Sequence, residues 1–187
     1  RLDALWKVML MLGLRPGEAT GLHWDGIDFE NDLLHVRHGL RKVDGAFEVT
    51  DQLKTRNSRR SLDMPPPLVA ALRCHKEAQD SERLEAGGAW SKQWPVLAFT
   101  TVIGTPLDPS NLRRDFSDLT KSVGLGHWTP NELRHSCASI LAASGVPLEH
   151  IADVMGHDGT RMTWQVYRHL MTPSIGAAAG PMGEIFG

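Results

Sequence analysis

No stretch of this sequence reaches the roughly 18 uninterrupted apolar residues that a membrane span requires, and its start lacks the basic-then-apolar layout of a signal peptide. A soluble domain is the expectation. Cysteine is reduced to two residues, Cys74 and Cys137, in no C-x-x-C spacing, which excludes a disulfide scaffold and reads as two buried thiols in an intracellular chain. There is no carboxylate cluster to hold paired magnesium ions and no H-E-x-x-H, so neither two-metal nor zincin chemistry is expected. A surplus of positive charge is missing too: 20 Lys and Arg stand against 22 Asp and Glu, for a net charge of −2. That balance does not advertise a nucleic-acid binder. Local clustering matters more, because Lys54, Arg56, Arg59 and Arg60 fall within seven residues and Arg113 and Arg114 form a second pair. The scarcest aromatic is tyrosine, present once, as Tyr167.

What is there fits one domain: 187 residues suffice to close a core. The chain starts Arg1-Leu2-Asp3 and is periodic by Leu5, so it is expected to be a piece of a longer protein. Leu5, Val8, Met9 and Leu12 keep helical spacing up to Gly13, and a short second helix follows from Pro16 to Leu22, placing Arg15 at the corner between them. From Leu33 to Met64 the texture turns to short strands, with Asp44-Gly45 as a hairpin turn and Lys54 in the connection between the last two. Pro65-Pro66-Pro67 opens another helix with Leu68, Ala71 and Leu72 at helical spacing, and further helices are expected near 109–123, 130–144, 147–155 and 161–170. The fold class is α+β, mainly helical with a small antiparallel β-sheet. The stretch 171–187 reads as a loose link to a terminal segment at Met182 to Phe186.

The chemistry-bearing residues concentrate in short motifs. Thr129 and Glu132 make a capping box around Pro130, so a helix starts there. Asn131, Arg134 and His135 then recur at i, i+3 and i+4, a cationic and polar face near a helix N-terminus that suits a phosphate. Met155-Gly156-His157 follows, and Tyr167-Arg168-His169 comes ten residues after His157. Taken singly, each is as compatible with a solvated helix face or a core aromatic. Histidines crowd this third of the chain, but His150 and His157 lack zinc-ligand spacing.

Together the motifs resemble the tyrosine recombinases and integrases of the phage-integrase family. That pattern is an arginine in a G-L-R-x-G-E turn, a β-hairpin lysine, an H-x-x-R-H helix start, an L-G-H turn and a late tyrosine. Here they read Gly13-Leu14-Arg15-Pro16-Gly17-Glu18, Lys54-Thr55-Arg56, Asn131-Glu132-Leu133-Arg134-His135, Met155-Gly156-His157 and Tyr167-Arg168-His169, in the same order across nearly the whole chain. The ending looks most like integrases of actinobacterial phages or mobile elements. One position departs: Asn131 stands where histidine is usual, and an amide can hydrogen-bond a phosphate but not exchange a proton near neutral pH.

The resemblance implies a catalytic domain for site-specific DNA recombination, cutting and rejoining through a covalent 3′-phosphotyrosyl link. Arg15 and Arg134 would clamp the non-bridging oxygens of the scissile phosphate. Lys54 would protonate the leaving 5′ oxygen, a role of about 10²- to 10⁴-fold. Asn131 and His157 would contact the phosphate, Tyr167 would be the nucleophile, and Glu18 and His135 would support from behind. No cofactor, metal or ATP is expected. Partners would be double-stranded DNA attachment sites, engaged by four protomers on two sites, with the isolated domain a monomer, in the cytoplasm of a bacterial or phage-infected cell. A core-binding domain would precede residues 1–187, and 171–187 would dock on a neighbour. Two alternatives remain: a DNA-binding regulator that has lost catalysis, and a type IB topoisomerase.

Overall fold

The computed structural model describes residues 1–50, 59–157 and 160. Lys54 and Arg56, the helix expected near 161–170 with Tyr167 and Trp164, and the segment 171–187 lie outside the described residues. Among those described, no helix is long and apolar enough to cross a membrane.

Helix α1 (Asp3–Met11) buries Leu5, Val8 and Met9 on one stripe and packs against two later helices, α3 (Pro66–Ala86) and α5 (Pro130–Ala143). It stops at Gly13, whose φ of 62° is a left-handed turn that a residue with a Cβ resists. The reversal leads straight into α2 (Pro16–Thr20), two residues shorter than its pattern suggested.

The strands form two sheets rather than one. β1 (Ile27–Asp28), β2 (Leu33–Val36) and β5 (Arg60–Asp63) make an antiparallel sheet in the order β1-β2-β5, while β3 (Gly39–Val43) and β4 (Ala46–Thr50) form a separate hairpin. Asp44 and Gly45 turn that hairpin with φ of 49° and 84°, as a tight turn between twisted strands requires. β5 pairs not with the preceding strand of the hairpin but with β2, matching Leu62 to Leu34 and Arg60 to Val36. β2 and β5 each bring apolar residues to the core face, whereas Arg41, Lys42 and Val43 of the hairpin are exposed.

The main core gathers residues of α1, α3, the three-stranded sheet and α4 (Pro109–Ser122), with Phe99 fully buried among them. α3 contributes an unbroken stripe of Leu68, Leu72, His75 and Gln79. The two polar members are satisfied by the segment after Val96: His75 Nε2 lies 2.8 Å from the Ala98 carbonyl, and Gln79 donates to the same carbonyl and accepts from Trp24 Nε1. A second, smaller cluster sits between α5 and α6 (Leu148–Met155), built from Ala138, Ala142, Leu148, Ile151 and Met155. Cys137 is buried as expected, but Cys74 is exposed on α3.

Candidate active site

Two arginines distant in sequence meet at the end of one helix. Arg15 occupies the N-cap of α2 in extended conformation, with Pro16 behind it. Glu18, one turn on, accepts from the Arg15 backbone N–H at 3.0 Å and from its Nη1 at 2.7 Å, fixing main chain and guanidinium with one carboxylate. Arg15 Nη2 then donates to the Gly156 carbonyl at 3.3 Å. Arg134 arrives from the second turn of α5, whose start is set by Pro130 and by Glu132 accepting from the Thr129 N–H. It is 6% exposed and donates to the carbonyls of Gly13 and Met155.

The two guanidiniums are therefore held on consecutive carbonyls, Met155 and Gly156, at the C-terminal end of α6. Gly156 ends that helix in left-handed conformation, and the His157 N–H closes the turn on the Ala152 carbonyl at 2.9 Å. Close packing keeps the assembly tight. A Cβ on Gly13 would lie 2.7 Å from the Met155 sulfur and 3.3 Å from that of Cys137.

Charge and burial act on His157 together. Burial, joined by the guanidiniums of Arg134, Arg15 and Arg60 and by His135, pushes its imidazole down to about 4, so it is neutral near pH 7. Glu18 is pulled both ways: burial pushes the carboxyl up, but Arg60 by charge and hydrogen bond, with Arg15, holds it below the ordinary carboxylate range. Burial drives the Cys137 thiol up to about 11, which leaves it protonated and inert.

Of the residues singled out by sequence, Arg15, Glu18, Arg134 and His157 come together. The face expected for Asn131, Arg134 and His135 divides: Arg134 turns inward, while Asn131 and His135 are exposed. Asn131 lines a cleft of about 590 Å³ with Pro16, Gly17, Lys42, Arg113 and His127. Lys54 and Tyr167 lie outside the described residues. Among the described residues, no group of three or more His, Cys, Asp or Glu could hold a metal ion.

Sequence reasoning missed Arg60, counting it as part of a basic surface cluster. Its side chain is 8% exposed, and it donates from Nη2 to Glu18 at 3.0 Å and from Nε to the Val154 carbonyl at 2.7 Å. A signal was present in the alternation of β5, where Arg60 shares a face with the buried Leu62.

Comparison with known proteins gives one answer. The model of the Phage integrase family matches residues 1–172. An integrase of Streptomyces ambofaciens is 38% identical over 184 residues, covering 96% of this chain and 47% of that protein. A XerC-like tyrosine recombinase of Caldanaerobacter subterraneus subsp. tengcongensis is 30% identical over 195 residues, covering all of this chain and 50% of that one. The chain thus spans about half the length of these curated relatives. Among solved structures, the Tn1549 transposon integrase in complex with transposon right end DNA superposes with a TM-score of 0.77 at 21% identity, over all of this chain and 59% of the other. XerA recombinase gives 0.70 at 20% identity, over all of this chain and 58% of its own. These two likenesses concern the fold.

Proposed function

The chain belongs to the phage integrase family, and from that premise we propose that residues 1–187 are one catalytic domain of a site-specific DNA recombinase. The observation that carries this reading is the pairing of Arg15 with Arg134 on the neighbouring carbonyls of Met155 and Gly156, beside His157. Two planar cations fixed at one point suit the non-bridging oxygens of a phosphodiester, and their charge opposes the negative charge that builds at phosphorus during attack.

In the proposed reaction the Tyr167 phenolic oxygen forms a bond to phosphorus, its proton leaving to His157 or solvent. The bond from phosphorus to the 5′ oxygen breaks, and that oxygen takes a proton from Lys54. The 3′-phosphotyrosyl link retains the phosphodiester energy, so a 5′-hydroxyl of a second strand can reverse the step without ATP. Charge stabilisation by the arginines supplies what a metal would otherwise contribute. A neutral His157 is suited first to donating a hydrogen bond to the phosphate. Once the anion offsets the arginine charge, the imidazole becomes more basic and better able to take the tyrosine proton. Asn131 contacts DNA beside the phosphate without proton exchange, and His135 supports the site electrostatically. The partners are double-stranded attachment sites bound by four protomers, with 171–187 docking on a neighbour, in a bacterial cytoplasm.

The test is covalent trapping in EDTA with nicked duplexes tiling the DNA that flanks the gene. Wild type is expected to yield a DNA-linked band on a denaturing gel, and Tyr167→Phe none, with duplex binding retained. A band that persists in Tyr167→Phe refutes the nucleophile. No band from wild type, with binding intact and a working relative reacting in parallel, favours a non-catalytic DNA-binding role.

A further inference from the structure

We propose that Arg60 is a positioning residue of this site: its guanidinium, bridging the Glu18 carboxylate and the Val154 carbonyl, holds Arg15 where a phosphate would meet it. The proposal rests on the functional reading above and assigns a task to a side chain that the motif pattern does not contain.

Glu18 is 5% exposed, so water has little access to replace a lost partner. One oxygen is taken by Arg15 Nη1 at 2.7 Å, and the other receives both the Arg15 backbone N–H and Arg60 Nη2, each at 3.0 Å. Arg60 therefore fixes the rotation of the carboxylate that orients Arg15. Its Nε reaches in the other direction, to the Val154 carbonyl at 2.7 Å. The next two carbonyls along the same helix end, Met155 and Gly156, receive Arg134 and Arg15. One rigid planar fork thus ties β5, α2 and the end of α6 into a single frame. Arg60 also opens the strand into which the connection bearing Lys54 runs.

The electrostatics agree. Arg60 is the strongest influence opposing burial at Glu18, ahead of Arg15. Other cationic or titratable groups around the frame are Arg134 from α5 and His157 after α6, both sensed by the same network. β3 meets α2 through the backbone of Leu40, close to Gly17 and Gly21. A lysine at position 60 would keep the charge but could not make both bonds with fixed geometry.

The experiment compares single-turnover covalent complex formation with duplex affinity for Arg60→Gln, Arg60→Lys, Glu18→Gln and the double variant Arg60→Gln with Glu18→Gln. Misplacing a reacting group by about 1 Å costs on the order of 100-fold in rate. That is the loss expected for Arg60→Gln, with little change in affinity, and Arg60→Lys is expected to recover part of it. In the Glu18→Gln background, removing Arg60 is expected to cost much less than in wild type, because Arg60 acts on Arg15 through the Glu18 carboxylate. Equal losses in both backgrounds, or an unchanged rate in Arg60→Gln, overturn the proposal. A parallel ¹³C NMR titration of the Glu18 carboxyl needs no DNA: it is expected to titrate below the ordinary range in wild type and distinctly higher in Arg60→Gln. No covalent product from wild type would defeat the recombinase reading itself. An unmoved Glu18 titration would defeat the role given to Arg60.

Discussion

Under the proposed function, His157 would report on whether a phosphate occupies the arginine pair. Its imidazole is held near 4 by burial and then by Arg134, Arg15 and Arg60, against an ordinary value of 6.5. Only the charge part of that depression can be reversed by an anion. Inorganic phosphate, or a nicked duplex, bound at the arginine pair is therefore expected to raise the His157 pKa, read from imidazole ¹H–¹⁵N spectra across a pH series. No movement at saturating ligand would mean that the phosphate binds elsewhere. The same shift makes a statement about stability. Because the folded value lies below the unfolded one, this group costs nothing above about pH 6.5. Stability then falls as pH drops towards 4, where the unfolded chain takes a proton that the folded chain refuses.

Elements position these residues through very close approaches. α2 and β3 are packed backbone to backbone: a Cβ on Gly21 would stand 2.5 Å from the Leu40 nitrogen and 2.7 Å from the Gly39 carbonyl carbon. Gly21 has a φ of −89°, so space and not backbone conformation demands glycine there. Gly21→Ala is expected to lower stability by about 1–3 kcal/mol as overpacking, seen as a reduced urea midpoint with an unchanged slope. An unchanged midpoint would show that β3 can move away from α2. At this scale the helices were largely legible. Gly13 and Gly156 mark stops, Asp108 with Pro109 opens α4, and Thr129, Pro130 and Glu132 open α5 within a residue of the expected bounds. Long-range pairing was not. β5 reaches past the hairpin to β2, and nothing local in Arg60-Ser61-Leu62-Asp63 says which strand it will join. The burial of His75 and Gln79 depends likewise on partners at Ala98 and Thr100, about twenty positions away and without periodicity of their own. In the candidate site, Arg15, Glu18, Arg134 and His157 were picked out from their motifs and are brought together. The inward turn of Arg134, the outward one of Asn131 and the burial of Arg60 needed the tertiary packing that decides which face of a helix or strand is covered.

At the scale of the whole molecule, the buried apolar residues among those described gather in a large cluster around α1, α3 and the sheet and a small one between α5 and α6. The arginines bond across the division. Arg134 sits between Leu133 of the first cluster and Ala138 of the second, and its two acceptors, Gly13 and Met155, lie on opposite sides. Arg15 and Arg60 cross in the same direction, each donating to a carbonyl at the end of α6. The small cluster has five buried side chains among the described residues, and a unit of that size is expected to open at lower free energy than the global fold. Covalent complex formation is therefore expected to fail at a urea concentration where far-UV circular dichroism is still mostly native, and coincident transitions would argue for one cooperative unit. The seam also governs when the centre exists at all. As the chain emerges during synthesis, Arg15 precedes its acceptor carbonyl on Gly156 by 141 residues and Arg60 precedes its acceptor on Val154 by 94, so the arginine frame is assembled late. Under the proposed function, a nascent or half-open chain would carry the arginines without the frame that holds them, and a cutting centre would exist only once the two clusters are joined.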